Sequence, residues 1–379
     1  MSGESATPAV QMAGRPRPAI VGIRPILITG GAGFIGSNLA DRLASEGHDV
    51  LIYDSLVRPD VEENVISLRR AHPRRISAMI ADVRDRLALD EAAARASAVF
   101  HMAAQVAVTT SMAEPQDDFD VNVGGTLALL EALRRRRDPP PIIFASTNKV
   151  YGDLADIALQ ASADSYQPAD EALRRWGISE ACPLSFHTPY GCSKGAADQY
   201  VLDYGRSFGI PSAVLRMSCI YGRRQRGTED QGWVAHFLLR ALRNEPITIY
   251  GDGRQVRDVL WIDDAIDAYV AAWRNIGSIR GHAFNLGGGP ANAVSLLQVV
   301  AEIAAILGVS LAVSFADWRP GDQRYFVADR RRVTAMLGLS PPLDWRGGLA
   351  QLAMWFIEQQ RPLARPPTEP EPAMAKART

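Results

Sequence analysis

The segment Pro25–Ala40 constrains the fold of this chain more than any other. An apolar run, Ile26–Thr29, leads directly into a turn that contains Gly30, Gly33 and Gly36, and the turn opens an amphipathic helix. The first glycine permits the tight turn, the second lets backbone N–H groups approach a pyrophosphate, and the third lets the helix pack closely on its strand. The pattern therefore predicts a strand–turn–helix unit that binds a dinucleotide.

A second apolar run, His48–Tyr53, follows this helix and ends in Asp54. The carboxylate lies at about the twenty-residue distance at which a ribose-binding acid is expected. Because a carboxylate repels a 2′-phosphate, Asp54 favours NAD over NADP as the cofactor.

Composition favours an ordinary enzyme over a nucleic-acid-binding or disulfide-rich protein. The chain has 379 residues, 47% of them hydrophobic, and a formal net charge of −1, which argues against nucleic acid as the main partner. Cys182, Cys192 and Cys219 have neither disulfide nor metal-ligand spacing, so no metal site is expected and a cytoplasmic location is predicted. Residues 1–24 and 362–379 are predicted to be disordered tails, and no segment is long and apolar enough for a membrane span.

Apolar runs and helical patterns alternate along the first two thirds of the chain, which predicts an α/β fold with a Rossmann-type doubly wound parallel sheet. This NAD-binding domain is expected over residues 25–217, with later segments returning to it, and a smaller C-terminal substrate-binding lobe is expected mainly over residues 218–345. The predicted strands of the sheet are Ile26–Thr29, Val50–Tyr53, Ile76–Ile80, Ala98–His101, Ile142–Ala145 and Ala213–Arg216. The main predicted helices are Phe34–Glu46, Gln116–Arg135 and Tyr190–Phe208, and the lobe is expected to contain a helix Trp233–Arg243 and a strand Ile247–Tyr250.

Tyr190 and Lys194 place a phenol and an ammonium one helical turn apart on the same face. A nearby lysine lowers the pKa of a tyrosine, which would let Tyr190 act as a general base toward a sugar hydroxyl. Thr147, at the end of a predicted strand, could supply the hydroxyl that completes this group. No histidine base accompanies the cysteines, so thiol catalysis is not expected.

Several ordered motifs together resemble the extended short-chain dehydrogenase/reductase superfamily of nucleotide-sugar enzymes, also described as NAD-dependent epimerases and dehydratases. The resemblance extends from about Ile26 to Trp345 and implies a tightly held NAD, a Tyr/Lys/Thr catalytic group and a nucleoside diphosphate sugar as substrate. The motifs are Thr29–Gly36, Asp82–Asp85, His101–Ala104, Asn122–Thr126, Tyr190-x-x-x-Lys194 and Arg257–Asp258.

The resemblance also assigns expected roles to individual residues. Catalysis is expected from Thr147, Tyr190 and Lys194, and no metal is expected. The expected cofactor-binding residues are Gly30, Gly33, Phe34, Ile35, Gly36, Asp54, Asp82, Val83, Ala103, Ala104, Gln105, Asn122, Ser146, Tyr190 and Lys194. The expected substrate-binding residues are Asn148, Lys149, Ser218, Gln231, Trp233, Arg257 and Arg324, with both arginines as candidates to hold the diphosphate.

The segment after Thr147 separates the possible reactions. Dehydratases of the superfamily carry carboxylates at the next two positions, whereas this chain has Asn148 and Lys149. Without those carboxylates the site lacks a proton donor for a leaving hydroxyl, which favours an epimerase. Similarity to a subfamily of 2-epimerases, which also lacks the asparagine that many superfamily members have where Cys219 stands, implies inversion of carbon 2 of a CDP-deoxyhexose.

Two alternatives remain open from the sequence. A UDP-hexose 4-epimerase would share every catalytic residue, and a non-catalytic NAD-binding module would share the fold, although Thr147, Tyr190 and Lys194 are intact. The resemblance further implies a homodimer that pairs through Gln116–Arg135 and Tyr190–Phe208.

Overall fold

The computed structural model of the protein describes residues 24–360, so the predicted tails lie outside the described residues except for Arg24. No helix within these residues is long and apolar enough to cross a membrane. The strands are β1 Ile26–Thr29, β2 Val50–Asp54, β3 Ile76–Ile80, β4 Ala98–His101, β5 Ile142–Thr147, β6 Leu159–Ala161, β7 Tyr166–Pro168, β8 Ser212–Met217, β9 Cys219–Tyr221, β10 Ile247–Tyr250, β11 Val256–Trp261, β12 His282–Leu286, β13 Ala293–Ser295, β14 Val313–Ala316 and β15 Tyr325–Phe326. The α-helices are α1 Phe34–Ser45, α2 Glu62–Ala71, α3 Arg86–Arg95, α4 Val108–Ala113, α5 Pro115–Phe119, α6 Gly125–Arg134, α7 Glu171–Trp176, α8 Thr188–Phe208, α9 Trp233–Leu242, α10 Ile262–Arg274, α11 Ile276–Ile279, α12 Leu296–Leu307, α13 Arg331–Leu337 and α14 Trp345–Gln360.

A seven-stranded parallel sheet in the order β12-β8-β5-β4-β1-β2-β3 forms the centre of the protein. Alternate side chains of β1 enter two separate cores, because successive residues of a strand point to opposite faces. Ile26 and Ile28 pack in the core that includes residues of α1 and α10, whereas Leu27 packs in the core that includes residues of α3, α6 and α8. The predicted α/β fold with a doubly wound parallel sheet is thus confirmed, and β12 is a late segment that returns to the sheet.

The strand order places β1 between β2 and β4, with the chain winding outward in both directions. In such sheets ligands bind beyond the carboxyl ends of the strands at this switch point. The glycine turn after β1 and the segment after β4 meet there, since a Cβ atom on Gly30 would lie 2.6 Å from the backbone nitrogen of Ala103.

A smaller set of strands around β11 lies beside the main sheet. β11 pairs with β9 and β15 in parallel and with β13 antiparallel, and β10 pairs with β14. The hairpin β6–β7 is joined to this part of the chain by the bond from the Tyr166 nitrogen to the Arg254 carbonyl (3.0 Å).

The long helix predicted over Gln116–Arg135 is interrupted. Pro115 begins the short helix α5, the residues Asp120–Gly124 form a π-helical turn, and α6 starts at Gly125. Turns of this kind are frequent at functional sites, and this one contains Asn122. The predicted strands of the sheet have the observed bounds to within two residues.

Candidate active site

The glycine turn leaves space in front of α1 that fits the phosphates of a dinucleotide. Gly30 has φ +68°, and a Cβ atom on Gly36 would lie 2.2 Å from the Gly30 carbonyl oxygen, so both positions require glycine. A Cβ atom on Gly33 would approach only that same oxygen, at 3.3 Å, and no side chain caps the helix. The first N–H groups of α1, those of Phe34 and Ile35 among them, therefore face open space that an anion can fill.

Asp54 ends β2 beside this turn. Its carboxylate accepts hydrogen bonds from the backbone nitrogens of Ala32 and Leu56, both at 2.9 Å, which fixes it next to the glycine turn. Arg58, four residues further along, brings its guanidinium near both the Asp54 carboxylate and the Tyr190 phenol. The sequence analysis did not select Arg58, because the sequence of a loop does not show where the side chain of a single arginine points.

Tyr190, Lys194 and Thr147 come together at the carboxyl end of the sheet. Tyr190 and Lys194 are buried on α8, and the Thr147 hydroxyl at the end of β5 lies close enough to the phenol to oppose the rise of its pKa. The ammonium of Lys194 donates to the Ala145 carbonyl (2.7 Å) and lies 4.2 Å from the centre of the Phe144 ring. The predicted grouping of these three residues is therefore present.

The electrostatics of this group differ from the sequence expectation. Burial raises the pKa of Tyr190 to about 12, and the groups that oppose this rise are Thr147 and Arg58 rather than Lys194. Burial lowers the pKa of Lys194 to about 7, against the attraction of Asp198 and Asp118. The cofactor cleft is the place where further positive charge would favour the phenolate, and bound NAD carries such charge on its nicotinamide ring.

The polar residues expected to bind the cofactor are also tied to one another. The Asn122 side chain accepts from the Gln105 nitrogen (3.0 Å) and donates to the Gln105 carbonyl and to Ser193. It thereby fixes the segment after β4 against α8. Asp82 is held by two hydrogen bonds from the Arg84 guanidinium, which lower its pKa despite its partial burial.

The remaining cofactor candidates fall into two groups. Val83 lies against Gly125, where a Cβ atom would be 2.7 Å from it, and Ala103 donates its N–H to the Thr29 hydroxyl (3.3 Å), with Ala104 next in the chain. Ser146 donates to the buried carboxylate of Asp198 (2.7 Å), which in turn holds Arg216. Ser146 therefore belongs to a network beneath the site, which sequence reasoning missed.

On the substrate side, the turn after β5 contacts the segment before β15. The Asn148 amide donates to Gln323 (3.1 Å), and the Lys149 ammonium donates to the Gly321 carbonyl (3.1 Å) and lies 3.4 Å from Asp322. Arg257 on β11 reaches the same Asp322 carboxylate at 2.7 Å. These contacts bring Asn148, Lys149 and Arg257 together, as expected.

The other substrate candidates are placed differently. The Ser218 hydroxyl donates to the buried Asp258 carboxylate (2.5 Å), and the Trp233 indole donates to the sulfur of Cys219 (3.3 Å). Gln231 is exposed on the loop before α9.

The Arg324 side chain does not join Lys149 and Arg257 in contact with Asp322. Its exposed guanidinium lies between the rings of Tyr166 (5.9 Å) and Trp318 (5.4 Å). Arg319, which the sequence reasoning did not select, instead stacks over Tyr250 at 3.8 Å and pairs with Asp230.

Comparison with known proteins gives consistent findings. Residues 26–287 match the model of the NAD dependent epimerase/dehydratase family. The CDP-paratose 2-epimerase of Salmonella typhi is 41% identical over 337 residues, which cover 87% of this chain and 98% of that enzyme. A putative UDP-glucose 4-epimerase of Methanocaldococcus jannaschii is 31% identical and is covered over 99% of its length, against 89% of this chain.

Solved structures of nucleotide-sugar epimerases have a similar fold over most of this chain. The UDP-glucuronic acid 4-epimerase of Bacillus cereus, crystallised with UDP-glucuronic acid and NAD, superposes with a TM-score of 0.76 at 28% identity and covers 88% of this chain and 99% of its own. The UDP-glucose 4-epimerase of Thermotoga maritima, with UDP-glucose, gives a TM-score of 0.75 at 28% identity over 89% of this chain and all of its own.

Proposed function

The chain belongs to the NAD-dependent epimerase/dehydratase family, and we propose that it is an isomerase that inverts carbon 2 of a CDP-deoxyhexose. NAD is its cofactor. The preference for CDP and for carbon 2 is supported by the 41% identity to a CDP-paratose 2-epimerase. Epimerisation rather than dehydration is supported by Asn148 and Lys149, which stand where a dehydratase would carry carboxylates.

In the proposed reaction, Tyr190 takes the proton of the sugar hydroxyl while the Thr147 hydroxyl orients that oxygen. Bound NAD would supply a hydride acceptor for the same carbon and, in its reduced form, a hydride donor to the opposite face once the keto sugar has turned in the site. Tyr190 then gives the proton back, so neither protons nor electrons are gained or lost. Lys194 would hold the nicotinamide ribose, and Arg58 with the bound cofactor would supply the positive charge near the phenolate.

The observation that carries this proposal is the position of the Thr147 hydroxyl close to the Tyr190 phenol beside a dinucleotide cradle, with no carboxylate at either position after Thr147. The proposal divides the chain into two parts. Residues 25–217, with later returning segments, would bind NAD, and residues 218–345 would mainly bind the substrate. Cytoplasmic location stays a prediction.

Proton NMR of the purified protein in deuterated water, with a panel of CDP- and UDP-hexoses and deoxyhexoses, tests the proposal. An epimer at carbon 2 of a CDP sugar with no deuterium at the inverted carbon is expected, because the hydride stays within the site. Deuterium on the ring or loss of water would contradict hydride transfer.

Tyr190→Phe is the matching variant. It removes the proton acceptor and leaves the rest of the ring, so kcat should fall by about 10²–10⁴-fold. NAD content, measured by absorbance after denaturation, should stay at the wild-type level, which separates loss of the base from loss of the cofactor.

A UDP-hexose 4-epimerase is the second candidate. It is favoured by the 31% identity to a putative UDP-glucose 4-epimerase and by the two superposed 4-epimerases. Inversion at carbon 4 of a UDP sugar, with carbon 2 unchanged, would support it over the first candidate.

A further inference from the structure

The Lys149, Asp322 and Arg257 side chains form a buried cluster between the sheet and the strands around β11. The Asp322 carboxylate lies 2.7 Å from the Arg257 guanidinium and 3.4 Å from the Lys149 ammonium. The exposed fractions of the side chains are 7% for Arg257, 19% for Lys149 and 23% for Asp322. Three charges therefore share a site that is largely closed to water.

The cluster does not balance its own charge. Two basic side chains face one carboxylate. Arg257 and Lys149 hold the pKa of Asp322 below its ordinary value despite its burial, so this carboxylate is ionised. Burial lowers the pKa of Lys149, so a further anion beside it would favour its charged form. An excess positive charge in a poorly hydrated place is costly unless an anion accompanies it. The cluster is thus incomplete without a further negative group.

The cluster lies close to the reacting groups. The Lys149 backbone nitrogen donates to the Thr147 hydroxyl (3.2 Å), and a Cβ atom on Gly191, the residue after Tyr190, would lie 3.3 Å from the Lys149 carbonyl oxygen. The chain segment that carries Lys149 therefore packs against Thr147 and against the start of α8, which carries Tyr190.

We propose that Lys149 binds the sugar-linked phosphate of the nucleoside diphosphate sugar and thereby sets carbon 2, rather than carbon 4, against Tyr190. This inference rests on the proposed function. Carbon 2 is bonded to carbon 1, which carries the diphosphate, whereas carbon 4 lies across the ring. A reaction at carbon 2 therefore draws the sugar-linked phosphate toward the catalytic hydroxyls, and the Lys149 ammonium, which shares Asp322 with Arg257 and lies two residues along the chain from Thr147, can hold it there.

Binding of CDP and of CMP to the NAD-loaded full-length chain, by isothermal titration calorimetry, tests the contact. CMP lacks the second phosphate, so Lys149→Gln should weaken CDP by at least about ten-fold and change CMP by less than about two-fold. Lys149→Arg should restore most of the loss. Equal weakening of CDP and CMP, or unchanged CDP binding, would overturn the proposal.

Asp322→Asn provides the opposing variant, because it breaks the same contacts but makes the cluster more positive. We expect its ratio of CDP to CMP affinity to stay at the wild-type value or to rise. If the contacts acted only by holding the chain segments together, both variants would lower that ratio alike. Arg243→Gln removes one charge from the exposed end of α9 and serves as the control.

The position of inversion is measured separately with CDP-glucose, which has hydroxyls at both carbons. Lys149→Gln should lower the share of carbon 2 product relative to carbon 4 product in the NMR assay. An unchanged share would show that Lys149 does not determine which carbon lies against Tyr190. Inversion of carbon 4 by the wild-type protein would refute the proposed function before any variant is made. The CDP-to-CMP ratio would then still report on the phosphate contact by itself.

Discussion

His101 shows how a single buried residue can couple this fold to pH. The ring lies at the end of β4, 1% exposed, with Nδ1 2.6 Å from the Thr29 hydroxyl and Nε2 3.0 Å from the Thr126 hydroxyl. Because Thr126 donates its own proton to the Asn122 carbonyl, it can only accept from Nε2, and Nδ1 then accepts from Thr29. The neutral ring is satisfied at both nitrogens, and a second ring proton, on Nδ1, would displace the proton that Thr29 donates there.

Acid should therefore destabilise the fold through His101. Burial, with Lys194 nearby, lowers the pKa of His101 from 6.5 to about 3. Between these values the unfolded chain binds the proton and the folded chain does not, so stability falls as pH falls, by up to about 1.4 kcal/mol per pH unit. Urea unfolding from pH 7 to 4 should show a shallower loss of stability in His101→Gln than in the wild-type protein. Equal slopes would contradict this role.

The residue scale also shows what the sequence could predict about the site. The spacing of Tyr190 and Lys194 predicted their shared helix face, because helical geometry is local. The pKa of Tyr190 could not be predicted in this way, since it depends on burial and on Arg58, which comes from a distant loop. The position of Arg324 on the surface, away from Asp322, depends likewise on how two strands of the smaller part of the chain meet.

At the scale of elements, the network beneath the site joins three of them. Asp198 on α8 holds Arg216 on β8 by two hydrogen bonds of 2.9 and 3.0 Å, and it accepts from Ser146 on β5. Both charged side chains are almost fully buried, with exposed fractions of 0% and 5%. The pair therefore fixes α8, which carries Tyr190, against the sheet.

Asp198→Ala should lower the free energy of unfolding by about 3–5 kcal/mol, because it leaves the Arg216 guanidinium buried without a counter-charge. The double variant Asp198→Leu/Arg216→Met should recover much of that loss. Urea denaturation measures both. Arg75→Ala, which removes an exposed ion pair with Asp49, is the control and should cost no more than about 1 kcal/mol. A small effect of Asp198→Ala alone would show that the network does not fix α8.

The elements that the sequence predicted well are those whose pattern is local. The six strands of the sheet that the sequence predicted are short apolar runs, and their observed bounds lie within two residues of the predicted ones. The interruption at Asp120–Gly124 has no such signal, because it depends on the bonds of Asn122 to Gln105 and Ser193, which are distant in sequence. A helical pattern alone cannot show that the turn at Asp120–Gly124 is π-helical or that it contains Asn122.

At the scale of the whole molecule, one face of the described chain is unusually apolar. Cys192, Ala196, Tyr200 and Phe208 follow one another at helical spacing along α8, and three of these four are exposed. Phe119 on α5 is 52% exposed and lines a groove with Cys192 and Ala196. We propose that a second copy of the chain covers this face, as the resemblance of the sequence also implies.

Light scattering after size-exclusion chromatography at micromolar concentration should then give twice the mass of the chain. Placing charges in the face, as in Phe119→Glu with Tyr200→Glu, should shift the protein to monomer, because a carboxylate cannot be buried there without a partner. Phe315→Glu is the matched control, since Phe315 is 60% exposed but lies on β14, away from these helices. A wild-type monomer would refute the dimer, and dissociation by Phe315→Glu would place the interface on the strands around β14 instead.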